Sequence, residues 1–314
     1  MDEKPLLVIL GATASGKTKL AVRVAEALNG EIISADSRQI FRQMDIGTGK
    51  DLSEYLINGR EIPHHLINIL EPGERYHVDA FKNDFFTAFK KITSKEKLPI
   101  LCGGTGMYIH SVLQNQPYTA VPVDENLRNE LDLLSKEELI LKLETYPKEQ
   151  TNNVDRSSKK RLIRAIEIGA YLNHNTLINY EYPKFNPLVF GLKNEVEITR
   201  SNILKRLDYR LQNGMIDEVE QLLTDGVDKA TLIFYGLEYK FIVMYLNGEL
   251  NLDELKLKLG TAICQFAKRQ NTFFRKMEKD GVSINWLDAK LETDQLKQQI
   301  LKMVSNNYNL DFVS

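Results

Sequence analysis

Residues 11–18 read Gly-Ala-Thr-Ala-Ser-Gly-Lys-Thr, a run whose types and spacing suit one task, the binding of a phosphate chain. Gly11 and Gly16 let the backbone of Ala12, Thr13, Ala14 and Ser15 curl so that its amides face an anion. Lys17 then reaches the outer phosphate, and the Thr18 hydroxyl is a ligand for Mg²⁺. Two further segments carry chemical groups. Asp36-Ser37-Arg38-Gln39 offers a carboxylate with three readings: a turn residue, a group near a phosphate-bound Mg²⁺, or a general base facing substrate. Gly103-Gly104-Thr105-Gly106 offers a close backbone approach to a ligand and a hydroxyl at a helix start, or simply a tight turn in which Thr105 is the N-cap.

Each of these segments follows an apolar run. Leu6 to Leu10 is a buried strand in front of the phosphate loop, and Leu20, Ala21, Val24, Ala25 and Leu28 recur at helical spacing behind it. Glu31 to Ser34 is a strand ending just before Asp36, and Leu98 to Cys102 is another ending at Gly103. A strand is also expected at His65 to Ile69, followed by a helix with Ala80, Phe81, Phe85, Ala88, Phe89 and Ile92 on one face. This alternation predicts an α/β fold: a P-loop NTPase-like parallel sheet flanked by helices, with functional groups at the carboxyl ends of the strands. Between Pro117 and Pro187 the pattern becomes charged and helical, which marks residues 118–187 as an inserted all-helical domain within a core of residues 1–117 and 188–314. Leu188 to Leu192 returns to the sheet, Leu252 to Lys279 is one long helix, and Val282 to Leu287 is a late strand.

The 41 basic and 43 acidic residues nearly cancel, so binding to a polyanion has to come from local clusters and not from a global field. Cys102 and Cys264 fit no metal-ligand spacing and are expected to be free thiols that pack. The acidic start and the short apolar run behind it do not resemble a signal peptide, and no run approaches the roughly 20 apolar residues of a membrane helix. A soluble cytoplasmic monomer with no membrane partner is the expectation.

Taken in order, GATASGKT, DSRQIFRQMDIGTGK at 36–50, PHHLINILEP at 63–72 and GGTGMYI at 103–109 resemble the tRNA dimethylallyltransferases, also called tRNA isopentenyltransferases. The likeness extends to Asp155 with KKRLIRAIE at 159–167, to Arg200, Arg206 and Arg210, and to Gln265 with AKRQNTFFR at 267–275. Gly236-Leu237-Glu238-Tyr239-Lys240 departs from the family's Gly-Tyr-basic motif, Ile263 and Cys264 stand where Thr and Arg are frequent, and Phe273 stands where Trp is common.

The resemblance implies transfer of a dimethylallyl group from dimethylallyl diphosphate to N6 of the adenosine 3′ of the anticodon (position 37) in tRNA. It implies Asp36 as base, Thr105 as the group that orients the amine or the bridging oxygen, and Lys17 with Mg²⁺ on Thr18 as stabilisers of departing diphosphate. Arg206 and Arg210, four apart on one helical face, are candidates for the diphosphate, against a solvated basic face. The tRNA anticodon loop is assigned to Asp36, Ser37, Arg38, Gln39, Thr105 and Arg128, to Lys160, Arg161 and Arg164 on the insertion, and to Lys268, Arg269, Gln270, Thr272 and Arg275 on the long helix. Two other readings share the phosphate loop: a P-loop kinase or NTPase of a small substrate, which lacks an evident apolar strand ending in a metal-binding Asp, and an adenylate isopentenyltransferase, which has less use for a basic insertion.

Overall fold

A computed structural model of the chain describes residues 3–114, 116–151, 154–177 and 181–308. In chain order it runs β1 (Lys4–Gly11), α1 (Lys17–Ala27), β2 (Gly30–Ser34), the short strands β3 (Leu56–Ile57), β4 (Arg60–Glu61) and β5 (His64–His65), then α2 (Val78–Thr93), β6 (Leu98–Gly103) and α3 (Gly106–Leu113). Helices α4 (Glu125–Asp132), α5 (Lys136–Leu143), α6 (Lys148–Thr151) and α7 (Lys159–Leu172) follow. The chain then returns through β7 (Phe185–Lys193), α8 (Val196–Gln212), α9 (Met215–Thr224), α10 (Lys229–Tyr235), α11 (Leu237–Leu246), α12 (Leu252–Lys279), β8 (Ile284–Asp288) and α13 (Thr293–Tyr308).

Six strands form one parallel sheet in the order β5-β2-β6-β1-β7-β8. Both faces are covered, which is why its strands read as apolar runs. Leu7 and Ile9 of β1 pack with α1 and α13 on one face, and Leu6, Val8 and Leu10 pack with α2, α3 and the end of α12 on the other. A third apolar cluster joins α8 to α12 with Ile40, Phe41, Met44 and Ala12. The sheet thus sets the carboxyl ends of β2, β6 and β1 side by side, and that third cluster packs against the loops leaving β1 and β2.

The compact units divide as Met1–Gln114 with Tyr182–Ser314, and Asn115–Glu181. The second is built on α4, α5 and α7 around Leu131, Leu139, Leu143, Leu162, Ile163 and Ile166. Its one buried carboxylate among the described residues, Glu167, accepts two bonds from Arg128, at 2.9 and 3.0 Å, one from Arg164, and one from the Asp124 amide at 2.7 Å.

One strand, expected over His65 to Ile69, is cut short. Only His64–His65 pairs with the sheet, because Leu66 and Asn68 take left-handed backbone, φ 62° and 56°, which turns the chain out of the ladder. The Ile69 and Leu70 amides donate instead to the Ile40 carbonyl, at 2.8 and 3.0 Å. The return strand begins at Phe185, ahead of Leu188, and the late strand begins at Ile284. No helix among the described residues is long and apolar enough to cross a membrane.

Candidate active site

The loop after β1 is held open as an anion cradle. Ala14 and Gly16 are both left-handed, φ 61° and 82°, and Gly16 caps α1 with no side chain over the first amides of the helix. The Ser15 hydroxyl is buried and has no hydrogen-bond partner among the described residues, so the loop holds a donor with nothing to bond. From the far side the loop is clipped by Gln270, which accepts from the Thr13 amide at 2.8 Å and donates to the Gly104 carbonyl at 2.9 Å. Gly104 must be glycine for this clip, since a Cβ there would lie 2.5 Å from Gln270 Nε2.

Asp36 and Thr105 are tied to each other through Ser37. Asp36 Oδ1 accepts from the Arg38 amide at 2.9 Å, a local turn that fixes the carboxylate. Thr105 starts α3 but its side chain caps nothing; Oγ1 accepts from the Ser37 amide at 3.0 Å, and the Thr105 amide donates to the Ala35 carbonyl at 3.1 Å. Thr105 thus holds the N-cap position of α3 without a side-chain capping bond, because the neighbouring turn gives its hydroxyl the Ser37 amide as a donor.

Thr13 to Thr18, Asp36 to Gln39 and Thr105 line one cavity of about 800 Å³, and Arg206 and Arg210 of α8 line it too. Arg206 donates to Thr13 Oγ1, and the Arg210 guanidinium lies over Gly49. Burial lowers the pKa of Lys17, opposed by the charge of Asp36, and lowers those of Arg38 and Arg210, opposed by Asp36 and Glu238. It brings Arg206 down to about 10, helped by Arg210 four residues on. No ion pair among the described residues involves Arg38, Arg206 or Arg210. Cations that have lost water without closing an ion pair are complementary to a polyanion, which restores what burial removed.

Gln39 and Gln270, expected to face RNA, spend their amides inside the protein. Gln39 donates to the Gly49 carbonyl at 3.3 Å and so straps the 45–50 loop, while Gln270 is buried in the clip described above. Lys268, Arg269, Thr272 and Arg275 are exposed along α12, and Arg269 also lines the cavity. On the insertion Lys160 is exposed and Arg161 pairs with Asp155, whereas Arg128 and Arg164 are engaged by Glu167. Arg164 also donates to the Val121 carbonyl at 2.7 Å.

Several residues of the site were not singled out from the sequence. Glu238 and Glu54 line the cavity with carboxyl pKa values raised by burial, Glu238 against the pull of Arg210 and Arg206, and Glu54 with a further push from Asp51. Glu218 accepts from the Asp45, Ile46 and Gly47 amides at 2.8, 2.6 and 3.0 Å and from the Tyr239 hydroxyl at 2.8 Å, shaping the loop before Lys50. The departing Gly236–Lys240 segment therefore supplies a cavity carboxylate and a buried tyrosine. Phe273 is partly buried, 5.9 Å edge-on from His110, and Ile263 is buried in the third cluster, so both pack. Cys102 is buried and Cys264 partly buried, both free; burial pushes the Cys102 thiol up to about 12.

Thr18 lines the cavity at the start of α1, and no group of three His, Cys, Asp or Glu side chains among the described residues could hold a metal. Such a donor set fits Mg²⁺, which commonly takes one or two protein oxygens and completes its shell with phosphate oxygens and water.

Residues 39–277 match the IPP transferase family. The chain is 48% identical over 295 residues to tRNA dimethylallyltransferase 2 of Bacteroides fragilis, covering 94% of this chain and 96% of that one. Among solved structures it resembles the full-length tRNA isopentenylpyrophosphate transferase of Bacillus halodurans, with a TM-score of 0.71, 31% identity, and 97% and 96% of the two chains covered. A eukaryotic dimethylallyltransferase acting on tRNA shares the fold at a TM-score of 0.76 and 20% identity, over 99% of this chain and 81% of the other.

Proposed function

The chain belongs to the IPP transferase family, and on that premise we propose that it transfers a dimethylallyl group from dimethylallyl diphosphate to N6 of the adenosine 3′ of the anticodon in tRNA, working as a monomer. One observation carries the reading: Lys17, Asp36 and Thr105 leave the ends of three adjacent strands and meet around one cavity that Arg206 and Arg210 also line. A phosphate loop alone serves many enzymes; a phosphate loop facing a carboxylate across a cationic cavity serves a reaction in which diphosphate leaves and a proton must be taken.

In this reading the loop amides, the Ser15 hydroxyl, Lys17, Arg206 and Arg210 receive the diphosphate. Thr18 would hold Mg²⁺, which would supply positive charge to offset that of the departing diphosphate. The allylic C–O bond breaks with its electron pair going to diphosphate, and the fixed cations stabilise that charge as it develops. The N6 lone pair forms the new C–N bond. Its proton passes to the Asp36 carboxylate, and Thr105 keeps the Asp36–Arg38 turn in place beside the amine. Within the six-stranded sheet the strand that ends in a carboxylate, β8, lies at the edge, where Asp288 accepts from the Lys290 amide at 3.1 Å in its own turn, which disfavours a kinase-like metal site.

Incubation with dimethylallyl diphosphate, Mg²⁺ and unmodified tRNA, followed by nucleoside mass analysis, tests the reading. The expected product is an adenosine heavier by one dimethylallyl group, formed ~10²-fold or more slowly by Asp36→Asn in single turnover. Transfer to free AMP but not tRNA, or release of phosphate from ATP with no prenyl transfer, overturns it.

A further inference from the structure

Four aromatic side chains are exposed among the described residues, and three of them, Tyr209, Phe234 and Phe266, line the one cavity that holds Lys17 and Asp36. They come from three helices, α8, α10 and α12, so no single amphipathic face accounts for their convergence. Phe234 is 68% exposed and Tyr209 66% exposed, far from the burial of a wall that holds a five-carbon tail. That wall is available deeper, where Ile263 is 5% exposed. The rim is also cationic: the Arg269 guanidinium lies 5.9 Å from the centre of the Phe266 ring, and exposed Lys240 lines the same cavity.

We propose that this rim, centred on Phe234, is a stacking platform for the unpaired bases that flank the target adenosine. The inference rests on tRNA being the acceptor. Drawing an adenine out of a loop leaves its neighbours without a stacking partner. Aromatic faces interleaved with Arg and Lys are the surface that recovers that loss, because rings stack on bases while the cations follow the backbone. Phe234 and Phe266 act as positioning residues: they hold the loop so that only the target base enters.

The test is a cycle between protein and RNA. Anticodon stem-loops with the nucleotide on either side of the target replaced by an abasic site are titrated, by fluorescence anisotropy, into the parent, Phe234→Ala and Phe234→Trp. Stacking on one ring corresponds to about five- to a hundred-fold in affinity. The parent should lose that factor on one abasic loop; Phe234→Ala should lose it already on the intact loop and lose little more on the abasic one; Phe234→Trp should match the parent. In turnover the change should fall on KM for the loop and not on kcat. Independent, multiplying losses from the variant and the abasic site overturn the proposal, as does an unchanged loop affinity with a raised KM for dimethylallyl diphosphate, which assigns the rim to the donor. A parent that modifies tRNA while Phe234→Ala behaves identically removes only the platform; a parent that neither binds the stem-loop nor transfers the prenyl group removes the acceptor reading with it.

Discussion

Two sets of arginines in this chain look alike in sequence and are used in opposite ways. Arg128 and Arg164 of the insertion close on Glu167, whose carboxylate is 1% exposed. Arg38, Arg206 and Arg210 of the core are also desolvated, yet they face a cavity and make no ion pair among the described residues. The first set completes its electrostatics within its own unit and so builds that unit. The second, pulled on by Asp36 and Glu238 without closing an ion pair, is left in the proposed reading for the diphosphate. What separates structural from functional charge is whether the counter-charge is supplied by the fold, and helical spacing of basic residues does not report that.

The sharpest break of this contrast is Glu167→Ala. It strips the counter-ion from two arginines and the acceptor from the Asp124 amide, and removing one side of a buried pair costs about 3–5 kcal/mol. Chemical denaturation followed by helical circular dichroism should show the insertion melting early. A midpoint equal to that of the parent means Glu167 is not what holds Arg128 and Arg164.

The core has a self-contained cluster of its own, which sharpens the same point. Glu31, 1% exposed, is bonded by Lys97 at 2.9 Å, His65 at 2.8 Å and Lys95 at 3.1 Å. Burial works to raise its pKa, but those three bonds outweigh burial and hold the carboxyl at about 2, below its ordinary 4.5. A depressed folded-state pKa gives stability that is fully present above 4.5 and is lost as pH falls toward 2, up to roughly 3 kcal/mol. Glu31→Gln should flatten the pH dependence of stability in that window. Parallel curves for parent and variant contradict the assignment.

The smallest effect belongs to exposed charges of α12 that make no ion pair among the described residues. Replacing Lys268 and Arg269 with alanine should leave the melting temperature within about a degree and lower the salt dependence of tRNA binding by about two in log–log slope. Superimposable salt titrations would make that face of α12 plain solvated surface.

How much of this is legible in the sequence follows the same line. The phosphate loop, the Asp36 turn and the Gly103–Gly106 turn are local patterns, each behind an apolar run, and they sit where the alternation of strands and helices puts them. The strand expected at His65–Ile69 ends at His65, since apolar alternation carries no sign of the left-handed backbone at Leu66 and Asn68. Gln270 left a trace that was readable: it stands in the buried row Ile263, Ala267, Gln270, Phe274, Met277 of α12, and an amide in an apolar stripe needs internal partners. Glu238 left none, since its place depends on how α10 and α11 meet the loop from β2. Arg128 and Glu167 are 39 residues apart, and their pairing exists only once α4 packs on α7.

The most direct test of the contrast is calorimetric titration of inorganic diphosphate, the leaving group in the proposed reaction, into the parent, Arg206→Gln and Arg164→Gln. Arg206→Gln should bind at least about tenfold more weakly, a loss of about 1.4 kcal/mol of charge-assisted contact, while Arg164→Gln should bind like the parent because its charge is used up by Glu167. Parent-like binding by Arg206→Gln, or an equal loss in Arg164→Gln, would contradict the division of the arginines between ligand and fold.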